Sequence, residues 1–117
     1  KSRPADSDEM WPKELHRDGS AASPPDHEIY GDMFIAEGLA ELSKATGESS
    51  AWNDAKQIVL KCVRKYDRDD YNPHIGETYL GAGARPFPGA RIEGVWMVII
   101  RTTTQMLTMR RDENWRP

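Results

Sequence analysis

The chain has 117 residues, with 16 Lys and Arg against 19 Asp and Glu and a formal charge of −3, a balance that argues against a predominantly basic nucleic-acid-binding domain. Its longest strongly apolar run, Val95 to Ile100, is far short of the roughly 20 residues that a helix needs to cross a bilayer. At 38% hydrophobic and 30% charged the composition is that of a globular domain with one modest core. The lone Cys62 allows no internal disulfide, which favours a reducing, cytoplasmic setting over a cross-linked secreted scaffold. A start at Lys1 and an end at Trp115-Arg116-Pro117, just after an apolar helical pattern, suit a fragment as readily as a complete product.

Residues 1–28 read as an irregular lead-in, with Pro4, Pro12, Pro24 and Pro25 scattered among polar residues. Within it Met10, Trp11 and Leu15 are positioned to dock on a neighbouring element. His16-Arg17-Asp18-Gly19-Ser20 reads as a polar turn in which Gly19 takes a positive φ.

The remainder, residues 29–117, is predicted to be helical with long connections. From Ile29 to Thr46, Ile29, Met33, Ala36, Ala40 and Ser43 recur at helical steps, with Asp26 as the expected cap and Gly47 as the stop. A second helix is expected from Ala51 to Tyr66, capped by Ser49 or Ser50. Trp52, Ala55, Val59, Cys62, Val63 and Tyr66 would line its buried side, with Lys56, Lys61, Arg64 and Lys65 outward or flanking. The two form an antiparallel hairpin with a connection of about four residues. Residues 67–92, broken by Pro73, Gly76, Gly81, Gly83, Pro86, Pro88 and Gly89, read as a long loop. The third helix is expected from Ile92 to Met109 and is apolar over so much of its circumference that three helices cannot surround it. Either further helices of the same chain or a homo-oligomeric partner would cover it.

The segment from Ile29 to Gly47, with Tyr30 and Phe34 near its start, a Leu39-Ala40-Glu41 centre and a closing Ala45-Thr46-Gly47, resembles the N-acylglucosamine 2-epimerase family. Trp11 to Ser20 is similar to the Trp and Asp-Gly hairpin loop that precedes this helix in the family. Arg85-Pro86, Met97 and the stretch Thr104-Gln105-Met106-Leu107 resemble its next inward-lining helix. The resemblance implies an all-α fold, part of an (α/α)6 barrel of which this chain supplies about three helices. It also implies a sugar as the substrate of the complete protein, with no cofactor. The reaction takes the proton next to the sugar carbonyl and returns it, on histidines of a His-x-x-Glu motif and a further histidine that this chain lacks.

Catalytic residues are therefore not assigned, and the isolated chain is expected to be inactive. His16, His27 and His74 read as loop histidines, and neither they nor Cys62 have the spacing of metal ligands. Candidates for touching a sugar are Tyr30 and Asp32 at the mouth of the first helix, Glu37 on it, and Arg85, Arg91 and Glu93 around the long loop. Each has a plainer role open to it: packing for Tyr30, helix-dipole stabilisation for Asp32, a solvent-facing position for Glu37 and loop-to-helix ion pairing for the other three. A noncatalytic helical interaction domain, or a family member without catalysis, stands beside the epimerase reading.

Overall fold

A computed structural model describes residues 9–26, 28–71, 89, 91 and 93–109. Among them the chain forms three α-helices, α1 (Tyr30–Thr46), α2 (Ser49–Asp67) and α3 (Glu93–Met109), and no β-sheet. The long loop expected over 67–92 is shortened at its start, because α2 runs through Asp67 and Arg68 to Tyr71 form a turn. Residues 72–88 lie outside the described residues.

The lead-in is more ordered than its prolines suggest. Pro12 faces Pro25 and Leu15 faces Ala21 in isolated antiparallel bridges. The Ala22 N–H donates to the Glu14 carbonyl at 2.9 Å and the Asp26 N–H to that of Trp11 at 3.1 Å. Because proline has no N–H to give, the bridge at residues 12 and 25 cannot extend into a regular ladder. At the tip, Asp18 Oδ1 accepts from the Ser20 backbone N–H at 2.9 Å and its hydroxyl at 2.6 Å, while Gly19 takes φ 86°. Those two bonds hold the Asp18 carboxyl below its usual range.

Helix α1 begins one residue later than expected, and Asp26 does not cap it. The N-cap is Ile29, with no side-chain cap bond, and Asp26 Oδ1 instead accepts the Glu28 N–H at 3.1 Å, ahead of the helix. The stop is as expected: Gly47 adopts φ 76° and donates its N–H to the Ser43 carbonyl at 2.8 Å, a left-handed conformation that penalises a Cβ. Only Gly47 and Glu48 then separate α1 from α2. So short a connection leaves no room for a serine cap, and Ser49 and Ser50 lie inside the first turn of α2.

Helix α2 packs antiparallel to α1, and α3 lies on the other flank of α1, parallel to it. Met33, Ala36 and Ala40 of α1, Ile58, Val59 and Cys62 of α2, and Val95, Ile99 and Met106 of α3 build the core, which Met10 of the lead-in closes. Alanines at 36, 40 and 55, all fully buried, keep the helices close. The apolar circumference of α3 divides between two environments. Val95, Ile99 and Met106 are buried, whereas Trp96, Met97 and Ile100 stand 51%, 60% and 46% exposed on the opposite side. No described helix is long and apolar enough to cross a membrane.

Candidate functional site

The two carboxylates expected to meet a sugar leave α1 on different flanks. Positions five apart on a helix are separated by about 140°, so Asp32 turns toward α2 and Glu37 toward α3.

Asp32 is fully buried, and its Oδ2 lies 2.6 Å from Lys61 Nζ, on a side chain only 2% exposed. Its Oδ1 accepts the Trp11 backbone N–H at 2.7 Å, and Lys61 also donates to the Glu9 carbonyl at 3.2 Å. Taking either charge out of water alone is prohibitive, so the pair and its two backbone partners form one unit that ties the lead-in to both helices. This corrects the outward or flanking place expected for Lys61. The signal was present in its spacing, since Lys61 follows Ile58 by three residues and precedes Cys62, which puts it on the buried arc of α2.

Glu37 reaches across to α3. Arg101 grips its carboxylate with Nε and a terminal nitrogen at 2.7–3.0 Å, and the Thr102 hydroxyl donates to it at 2.7 Å. One turn on, Gln105 donates to Glu41 at 2.8 Å. Glu37 is thus a cross-helix partner, not the solvent-facing residue of the plainer reading.

Arg91 sits at the far end of α2. Its guanidinium lies 5.0 Å from the Tyr66 ring centre and 5.4 Å from that of Tyr71, and it donates to the Gly89 and Arg68 carbonyls at 2.8 and 3.1 Å. Trp96 extends this aromatic group, stacked on Tyr66 at 6.4 Å. The sequence reading missed the buried Glu28, which accepts the Tyr71 hydroxyl at 2.8 Å. Burial, then that hydrogen bond and the Glu28 charge, push the Tyr71 phenol well above its ordinary range.

Tyr30 is half-buried against the core, and Glu93 is exposed in the first turn of α3, where a carboxylate suits the positive end of the helix. Arg85, His27 and His74 lie outside the described residues, and His16 is exposed on the lead-in. The described candidates therefore do not converge: Asp32, Glu37 and Arg91 each belong to a separate network. A cleft of about 270 Å³ opens at the other end of α1, lined by Ser43, Lys44, Trp52, Thr108 and Met109, none of them a candidate from the sequence. No group of three or more His, Cys, Asp or Glu able to hold a metal occurs among the described residues.

Cys62 lies fully buried behind the Asp32–Lys61 pair. Desolvation first, and then the Asp32 charge, push its thiol up to about 12. The unfolded chain ionises this thiol near 9.0, before the folded one does, so its contribution is intact below that pH and is lost as pH rises toward the folded value. Urea titrations at about pH 8 and about pH 10 should show the native chain losing on the order of 1 kcal/mol more than Cys62→Ala. Equal losses in the two chains would contradict a buried, neutral thiol.

Comparison of the chain with protein-family models, curated proteins and solved structures gives no match.

Proposed function

We propose that this chain is a structural segment of a carbohydrate 2-epimerase or isomerase with an (α/α)6 barrel, acting in the complete protein on N-acylglucosamine or a related sugar. The observation that carries the reading is the state of α1. The helix spans the segment that resembles the family and follows a folded Trp11–Asp26 hairpin pinned to it through Asp32. It is flanked by α2 on one side and α3 on the other, and α3 presents Trp96, Met97 and Ile100 to solvent, an apolar strip suited to receive further helices of a barrel.

The contribution of this segment is wall and support. Proton abstraction beside a carbonyl needs a base free to reach the carbon and to titrate near neutrality. Asp32 is committed to Lys61, and Glu37 to Arg101 and Thr102. Tyr30, Arg91 and Glu93 would lie at the rim, with Arg91 already held by Tyr66, Tyr71 and the Gly89 and Arg68 carbonyls, while the proton-transfer histidines belong to other parts of the complete protein. The native gene product, recovered from its source cells and mapped by peptide mass, is expected to continue into helices bearing a His-x-x-Glu motif and to interconvert 2-epimeric sugars. A native product confined to these residues and without that activity would overturn the reading.

One observation favours a second reading. Asp32 and Glu37 serve as struts, and large apolar side chains stand exposed, as in a noncatalytic helical interaction domain. A longer native product that carries the histidines but leaves every sugar unchanged would favour it.

A further inference from the structure

The outward face of α1 carries a pattern that reads the same in both directions. Gly31, Phe34, Gly38, Leu42 and Ala45 are all exposed, Phe34 by 52% and Leu42 by 45%. Nothing lies within 4 Å of the position a Cβ would take on Gly31 or Gly38. About Gly38 as centre, large apolar residues stand four positions to either side and small residues seven positions to either side. Steps of four and seven keep all five on one helical face.

Such a surface is complementary to itself. Rotation about a two-fold axis at Gly38, perpendicular to the helix, brings a second copy of α1 alongside in the opposite direction. Gly38 then meets the partner's Gly38, Phe34 lies beside the partner's Leu42, and Gly31 lies beside the partner's Ala45. The separation of packed helices is set by the side chains at the contact, so three small layers allow close approach while Phe34 and Leu42 fill the levels between them.

One charge contact suits this register, and each Glu37, set by the rotation two residues apart in level on the same flank, keeps its own Arg101. Arg101 lies 5.7 Å from the Phe34 ring centre and is 60% exposed. The same rotation brings the partner's Glu41 to the level of residue 35, on the flank where Arg101 stands. Glu41 thereby meets a cation, while its own copy is displaced by six residues, about 9 Å along the axis. An isologous contact requires a patch complementary to itself, and about Gly38 this face meets that requirement.

We propose that α1 is the contact of an antiparallel homodimer centred on Gly38. This inference rests on the fold and not on the sugar-epimerase reading, and its test reads mass and cross-linking, to which sugar turnover is irrelevant. Sedimentation equilibrium of the 117-residue chain should give a concentration-dependent approach to twice its 13.3 kDa mass. Gly38→Leu should stay at the monomer mass over the same range. Its helical spectrum should persist, because the side chain enters open space and leucine is the better helix former. Gly38→Cys should oxidise to a disulfide-linked dimer, with buried Cys62 inert as an internal control. A native chain that is monomeric throughout, a dimer that survives Gly38→Leu, or failure of Gly38→Cys to cross-link would each overturn the proposal.

Discussion

Asp32→Ala is expected to cost about 3–5 kcal/mol, the range for removing one partner of a buried ion pair. The loss exceeds that of one attraction, because Lys61 would remain 2% exposed with its ammonium facing the Glu9 carbonyl, and the Trp11 N–H would lose its acceptor. Domains are stable by only about 5–15 kcal/mol in total, so the variant should be largely unfolded at modest urea. The exposed pair gives the contrast. Arg101→Ala breaks a contact in which the arginine is 60% exposed, and about 0.2–1 kcal/mol is expected. The double variant Asp32→Leu with Lys61→Met separates burial of charge from loss of shape. It removes both charges from the core and should recover much of the loss seen in Asp32→Ala. Urea unfolding followed by circular dichroism reads all three, and an Asp32→Ala midpoint equal to that of the native chain would contradict the buried pair.

The second large effect is expected at Ile58. This side chain is 1% exposed in the core. Ile58→Ala should cost about 2–5 kcal/mol through lost transfer energy and the cavity left behind. Met97→Ser removes a side chain of similar size from the same protein, yet at 60% exposure it should change stability by no more than about 0.5 kcal/mol. The difference between these variants reports that the α2 position is packed in the core while the outer strip of α3 is not. Comparable losses at the two positions would show that the outer strip of α3 is already covered in the isolated chain.

Helix type and order were legible because they depend on periodicity. The recurrence of Ile29, Met33, Ala36 and Ala40, and the mixed circumference of α3, are properties of the residues themselves. Gly47 was legible for a related reason, since a left-handed helix end has a strong residue preference. The caps were not. Asp26 and Ser49 are competent residue types, but the turn at Glu28 and the two-residue Gly47–Glu48 connection place them outside capping geometry. The charge of Lys61 suggests an outward place although its position on the helix lies on the buried arc, and its partner Asp32 is 29 residues away in sequence. The same limit applies to the site: a list of plausible sugar-binding residues does not show which acids are already spoken for. Only the packing of α1 between its neighbours assigns Asp32 to Lys61 and Glu37 to Arg101.

On the proposed reading this chain supplies the wall of a sugar epimerase and not its proton-transfer groups. Exchange of solvent deuterium into the carbon next to the carbonyl of N-acylglucosamine, mannose and cellobiose, followed by proton NMR, tests it most directly. The 117-residue chain should leave the sugar proton untouched, whereas the native gene product should exchange it in one of these sugars and form the corresponding epimer or isomer. Exchange catalysed by the isolated chain, or no exchange of any of the three by the native product, would overturn that proposal.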